Sequence, residues 1–287
     1  MPGIAAEGPN AQQIQYWNDV AGPRWVKQHD LIDDQIRPLG LLAMDRARVA
    51  SGERVLDIGC GCGDSTIELG RRVAPSGTVT GLDISAPMLE RAGQRARAQG
   101  SSARFELADA QAQVFPPTSA DLLFSRFGVM FFSDPTAAFA NLRRTLAPGG
   151  RLAFVCWQSL PDNPWMFVPL GAALQHLPPP PLPGPDAPGP FSFADRERVR
   201  AILTGAGFRA VTFDDIRQTL RIGAGGSLDE TVEFVLQMGP TAAALRESSN
   251  ASLVPRVTAA VREALAPYVS DGDIRMESAS WIVTARG

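Results

Sequence analysis

The segment Val55-Leu56-Asp57-Ile58-Gly59-Cys60-Gly61-Cys62-Gly63 constrains the fold of this chain more than any other. A short apolar run carrying one carboxylate enters three glycines at alternate positions. Asp64-Ser65-Thr66-Ile67-Glu68-Leu69 then continues as a helix start. Strand, glycine loop and helix in that order leave bare backbone at a strand end. Glycine accepts positive φ and has no Cβ to hold a ligand away, and the helix start offers unpaired N–H groups. A loop of this kind seats a nucleotide-like ligand.

Three ligand classes compete for such a loop. A phosphate-binding P-loop needs Gly-x4-Gly-Lys-Ser/Thr, and no lysine follows Gly63. A dinucleotide fingerprint is Gly-x-Gly-x-x-Gly after a strand. Here the spacing is Gly-x-Gly-x-Gly, with Asp64 where the third glycine belongs, and a carboxylate there is expected to repel a pyrophosphate. Asp57 before the loop suits a ligand bearing positive charge or hydroxyls, and it also suits a cap for the following helix.

The alternation downstream supplies the context. Residues 54–58, 78–83, 103–108, 120–125 and 151–157 read as strands. Helices lie between them at about 64–73, at 85–99 with Ser85 as N-cap, and from Asp134-Pro135 onward. Five strands alternating with helices predict a parallel sheet covered on both faces. Asp83 closes the second strand and Asp109-Ala110 the third. Ligands of open α/β sheets bind outside these carboxyl ends. A carboxylate at Asp83 can accept from two ribose hydroxyls, and one at Asp109 from an adenine amino group. Three strand-end carboxylates around a glycine loop fit an adenosyl ligand without phosphates.

These residues resemble the class I S-adenosylmethionine-dependent methyltransferases, and in pattern the small-molecule enzymes of the ubiquinone and menaquinone type. The matching blocks are Val55–Gly63, Gly81-Leu82-Asp83-Ile84-Ser85 with Met88-Leu89-Glu90-Arg91-Ala92, Ala108-Asp109-Ala110, and Leu142-Arg143-Arg144-Thr145-Leu146-Ala147-Pro148-Gly149-Gly150. They cover about residues 50–157, in the family's order. The resemblance implies that Asp57, Gly59, Cys60 and Gly61 face the methionine part of the cofactor and Asp83 the ribose. It implies Ile84 and Met88 at the adenine faces, and Asp109 and Ala110 at the adenine edge. Ser125, ending the fourth strand, is placed with this set. The fold implied is α/β, a doubly wound, mostly parallel sheet of seven strands, Rossmann-like. Strands near 211–222 and 274–285 complete it. Helices precede the sheet and a helical insertion at 228–267 precedes the last strand. One domain is expected, with residues 1–50 as a helical lid segment, 51–160 as the cofactor-binding core and 161–287 on the substrate side.

Aromatic rings crowd the N-terminal segment Tyr16-Trp17-Asn18-Asp19-Val20-Ala21-Gly22-Pro23-Arg24-Trp25. It resembles the segment that covers the cofactor in related methyltransferases. Ring faces attract a sulfonium cation, and Tyr16 and Trp25 are the expected lid residues. After the fourth strand, Phe131-Phe132 stand where relatives often carry histidines. With Trp157 and Trp165 they predict an apolar acceptor pocket. The chain has two histidines, His29 and His176, and these are its candidate bases. An Asn/Asp-Pro-Pro-aromatic motif after the fourth strand is absent, which disfavours a nucleic-acid acceptor.

Composition narrows the classes further. The formal net charge of the 287 residues is −3, with no long basic run, which again disfavours nucleic acid. No stretch reaches the roughly 18 apolar residues of a membrane span, and the N-terminus reads without a secretory signal. The three cysteines, Cys60, Cys62 and Cys156, fit a reducing, cytoplasmic setting and lack the four-ligand pattern of a structural metal site, so no metal is expected. The proline-rich run 178–190 reads as an extended loop. The expected function is S-adenosylmethionine-dependent methyl transfer to a small, largely apolar acceptor, with S-adenosylhomocysteine as product. The alternative is a cofactor-binding protein without transferase activity. The sequence leaves the oligomeric state open.

Overall fold

The computed structural model describes residues 4–178, 184 and 187–287. Much of the proline-rich run therefore lies outside the described residues. The parallel half of the sheet follows the sequence reading closely. Strands β1 (Arg54–Ile58), β2 (Thr78–Asp83), β3 (Arg104–Leu107), β4 (Ala120–Arg126) and β5 (Leu146–Trp157) pair in the order β3-β2-β1-β4-β5, all parallel. Their alternating connections are the helices α3 (Asp64–Val73), α4 (Ala86–Ala98) and α5 (Pro135–Arg143). After β3 the chain returns to the other side of β1. That reversal creates a crevice between the carboxyl ends of β1 and β4, where ligands of such sheets bind.

The second half adds two long strands. β6 (Arg209–Ile222) and β8 (Asp273–Arg286) extend the sheet as β5-β8-β6, with both new pairings antiparallel. A two-residue strand, β7 (Val269–Ser270), folds back on β8. The through-going sheet thus has seven strands, as the resemblance implied, and β7 is a small addition beside it. Between β6 and β7 stand the helices α8 (Leu228–Gln237), α9 (Gly239–Glu247) and α10 (Val254–Leu265), which form the expected insertion. Two further helices, α6 (Pro164–Ala173) and α7 (Arg196–Gly205), connect β5 to β6. Buried Phe139, Phe154, Phe193 and Phe208 pack together in the core, with centroids 5.8–6.3 Å apart.

The N-terminal segment forms α1 (Ala11–Gln15), one wide π-type turn (Tyr16–Val20) and the long α2 (Ala21–Arg46). Wide turns of this kind are rare and occur often at functional sites. Here the turn carries Tyr16, Trp17 and Asn18. Asn18 donates to the Ile84 carbonyl at 2.9 Å and accepts from the Ala86 N–H at 3.0 Å. Ser85 stands at the N-cap of α4 as expected, but its hydroxyl donates to the Trp17 carbonyl at 2.8 Å, so Asn18 satisfies the helix start instead. Gly22 makes this contact possible, since a Cβ there would lie 2.1 Å from the Trp17 carbonyl oxygen.

Candidate active site

Two adjoining cavities open at the carboxyl ends of β1, β2, β3 and β4. The first is built on the glycine loop. Gly59 adopts φ +65°, and a Cβ there would lie 2.7 Å from the Gly128 Cα. The loops after β1 and β4 approach that closely only because both residues are glycine. The cavity wall includes Gly59, Cys60, Gly61, Asp83, Ile84, Met88, Asp109, Ala110, Phe131 and Phe132. The candidate ribose, adenine and loop residues are therefore together on one surface. Trp25 belongs to the same wall, while Tyr16 does not.

Asp83 has the right surroundings for hydroxyl recognition. Its carboxylate accepts from the Gly61 N–H at 2.8 Å and the Ser85 N–H at 2.9 Å. Each oxygen keeps acceptor capacity toward the cavity. Burial raises its pKa and those backbone hydrogen bonds oppose the rise. Asp109 is held by Gln111 N–H at 2.9 Å and by the Asn10 amide at 3.1 Å. Asn10 lines the cavity, is 3% exposed, and its Oδ1 lacks a partner among the described residues. A buried orphan acceptor is costly unless a ligand donor meets it. An adenine amino group is such a donor, so the site fits an adenosyl cofactor. The cavity is narrow, about 100 Å³, below the roughly 300–1,000 Å³ of ordinary ligand sites.

Other candidates lie outside this wall. Asp57 is fully buried beneath the loop and accepts from the Ser65 and Thr66 hydroxyls, both at 2.7 Å. It ties β1 to the first turn of α3. Burial pushes its pKa up to about 6, partly offset by those two hydroxyls, and its Oδ1 is unpartnered. Ser125 donates to the Ile58 carbonyl at 2.7 Å and accepts from Gly128 N–H, so it braces the loops from behind. His29 is buried and its Nε2 accepts from Arg91 at 2.7 Å; burial lowers its pKa. His176 is exposed. Neither histidine borders either cavity, so the geometry gives neither one a base's position.

Asp64 requires a corrected reading. Its carboxylate is paired with Arg37 and Arg126, the latter at 2.8 Å, and is 5% exposed. Arg126 also meets Asp33 at 2.7 Å, and Arg95 joins Asp33 at 2.7 Å and the Cys62 carbonyl at 2.9 Å. Neutralised by arginines and outside the cavity wall, Asp64 is no barrier to a phosphate. The case against a dinucleotide rests on other residues. The buried cluster locks α2 to the back of the glycine loop. Cys60 and Cys62 are free, buried thiols, and burial raises the pKa of both, that of Cys62 to about 12.

The second cavity, about 650 Å³, shares Trp17, Trp25, Ile36, Phe127 and Phe131 with the first. Trp17 borders both, edge-on to Trp25 at 5.7 Å and to Phe131 at 5.0 Å. Phe127 stacks on Trp157 at 4.1 Å, and Trp165 meets Trp157 at 5.3 Å. Tyr16, Trp157, Trp165, Met166, residues 187–192 and side chains of α8 and α9 belong to the same wall. Of the expected pocket residues, Phe131 and Trp157 lie here, whereas Phe132 faces only the cofactor cavity. Sequence reasoning missed Asn10, Trp17 and Arg126. The aromatic cluster pointed to Trp17; nothing local pointed to the other two.

Comparison with known proteins agrees with this geometry. The family described as a methyltransferase domain matches residues 55–150. The aklanonic acid methyltransferase of a Streptomyces species (strain C5) is 36% identical over 148 residues, which cover 49% of this chain and 67% of that one. A demethylmenaquinone methyltransferase of Thermus thermophilus is 42% identical over 126 residues, covering 44% of this chain and 57% of the relative. The solved YcgJ protein of Bacillus subtilis shares the fold, with a TM-score of 0.55 at 18% identity, over 86% of this chain and 97% of its own. The chain belongs to the S-adenosylmethionine-dependent methyltransferases. It is accordingly a transferase that uses this cofactor, and the alternative of a cofactor binder without activity finds no support.

Proposed function

We propose that this methyltransferase acts on a small, largely apolar acceptor seated in the 650 Å³ cavity. The observation that carries the reading is the shared aromatic wall of Trp17, Trp25, Phe127 and Phe131. It joins a polar seat to an apolar one, so an acceptor atom in one can meet a group held in the other. When bound, S-adenosylmethionine supplies an activated methyl group for in-line displacement.

The chain's own residues do the rest. Asp83 accepts from the ribose hydroxyls, and Asp109 and Asn10 take the adenine edge. Met88 and Ile84 flank the ring, and Gly59 and Gly61 leave room for the methionine part. Trp17 and Trp25 face the sulfonium side and exclude water. Alignment of nucleophile, methyl carbon and sulfur within about 3–3.5 Å is the main catalytic demand. In this division residues 1–50 close the site, 51–160 hold the cofactor and 161–287 shape the acceptor cavity. The net charge of −3 and the free, buried cysteines support a non-nucleic-acid acceptor and a reducing, cytoplasmic setting. Among the described residues, no helix is long and apolar enough to cross a membrane.

The test is incubation with radiolabelled cofactor and a panel of polycyclic phenols, quinols, aromatic acids and small polar amines. Label should pass to aromatic members. Transfer confined to polar amines, or to none while S-adenosylhomocysteine still binds, would overturn the acceptor reading.

A further inference from the structure

The acceptor cavity is mostly apolar, but two cations stand in its wall. Arg24, from the first turns of α2, and Arg246, near the end of α9, both border it, as does Tyr16. Neither arginine forms an ion pair with a carboxylate among the described residues. Most other arginines near the two cavities are engaged: Arg37, Arg95 and Arg126 are all paired with Asp33 or Asp64. Burial lowers the pKa of the Arg246 guanidinium; Tyr16 opposes that effect and the charge of Arg24 adds to it. The two cations border the same cavity. Glu247, exposed at the same rim, raises the Arg246 pKa but pairs with neither arginine.

Two guanidiniums facing one cavity without an ion-paired carboxylate favour a bound oxyanion there. Guanidinium presents a planar fork of donors that matches a carboxylate, phosphate or sulfonate. The pair borders the acceptor cavity only; neither arginine belongs to the cofactor wall. Tyr16, which borders the cavity beside them, meets Trp17 of the shared aromatic wall with ring centroids 5.7 Å apart.

We infer that the acceptor is an amphiphilic acid, in which an apolar body fills the aromatic cavity and an oxyanion is anchored by Arg24 and Arg246. This rests on the acceptor-cavity reading above. Tyr16 borders the same cavity, a role different from covering the cofactor.

The test uses two dyes that share one aromatic body, anilinonaphthalenesulfonate and neutral phenylnaphthylamine. Both are titrated by fluorescence into the protein saturated with S-adenosylhomocysteine. The sulfonate should bind about tenfold or more tightly than the neutral dye, as charge-assisted hydrogen bonds require. Arg24→Gln and Arg246→Gln should each shrink that preference, and together abolish it, with neutral-dye affinity unchanged. Naphthoate and naphthyl phosphate, added as competitors, distinguish a carboxylate from a phosphate as the preferred anion. Equal affinity for the two dyes in the unaltered protein, or a preference that survives in the double variant, would overturn the anion site. Failure of both dyes to bind while S-adenosylhomocysteine binds would instead remove the acceptor cavity itself, and the inference with it. Arg24 is exposed, so its variant remains a fair test even if Arg246→Gln destabilises the fold.

Discussion

The Asn18 side chain and the Ile84 carbonyl, 2.9 Å apart, join the N-terminal segment to the end of β2. The same amide caps α4 through the Ala86 N–H. One side chain therefore both starts a helix of the cofactor-binding core and fixes the aromatic turn above the cofactor seat. Asn18→Ala removes both bonds. S-adenosylhomocysteine affinity is expected to fall about tenfold, with a loss of about 1 kcal/mol in stability for the missing cap. Calorimetric titration and urea unfolding measure the two effects. An unchanged dissociation constant would show that the turn stays in place without its latch.

Asp83 makes the sharpest cofactor prediction. Asp83→Ala leaves ribose hydroxyls and the Gly61 and Ser85 N–H groups without their acceptor. The cost is about 1–3 kcal/mol per unsatisfied group. Calorimetry with S-adenosylhomocysteine should show weaker binding by at least tenfold. Equal affinity for variant and parent would contradict the ribose assignment.

The aromatic wall can be dissected by comparing two neighbours. Trp17 borders both cavities and Tyr16 only the acceptor cavity. Trp17→Ala should weaken S-adenosylmethionine by about 0.5–2 kcal/mol, the range for a cation over an aromatic face. Tyr16→Ala should leave that affinity nearly intact. The reverse ranking would restore Tyr16 to the cofactor side.

Arg126 is held between Asp33 and Asp64 with only 9% of its side chain exposed. Arg126→Met takes one arginine from each of two buried carboxylates, leaving Asp33 with Arg95 and Asp64 with Arg37; loss of a buried partner costs up to about 3–5 kcal/mol. Chemical denaturation should show a large drop in stability. A change under about 1 kcal/mol would mean that water already screens the cluster.

Asp57 sets a pH dependence. Its folded pKa, about 6, lies above the ordinary value of 3.8. The folded state therefore binds this proton more tightly than the unfolded state does. The associated stability is fully present below about 3.8 and is lost as pH rises through about 6. At neutral pH the loss is about 3 kcal/mol, at 1.36 kcal/mol per unit. Asp57→Asn should flatten this part of the stability profile, measured by thermal unfolding between acid and neutral pH. A profile with the same slope in the variant would assign the titration to another group.

The candidate cofactor seat was legible because its determinants are local. Strand, glycine loop and helix follow one another within residues 54–73, and each carboxylate ends its own strand. Alternation along a few residues reports such units, since backbone geometry and burial act over short range. Asp57 shows the limit: its position at a strand end was readable, but its burial beneath the loop was not. Asp64 shows it again. Its place at the helix start was plain, while the arginines that neutralise it come from Arg37 and from Arg126, the latter 62 positions away.

By itself, then, the sequence determined an α/β sheet with a candidate adenosyl seat at the carboxyl ends of its first strands. Only the tertiary structure decided how that seat is closed and what lies beside it. The Asn18–Ile84 latch spans 66 positions and the Arg126–Asp33 pair 93. Trp17, Trp157 and α9 meet around the acceptor cavity from distant parts of the chain. No local pattern encodes such meetings. They arise when the sheet forms and brings remote side chains into contact, and the partner that satisfies each group is known only then.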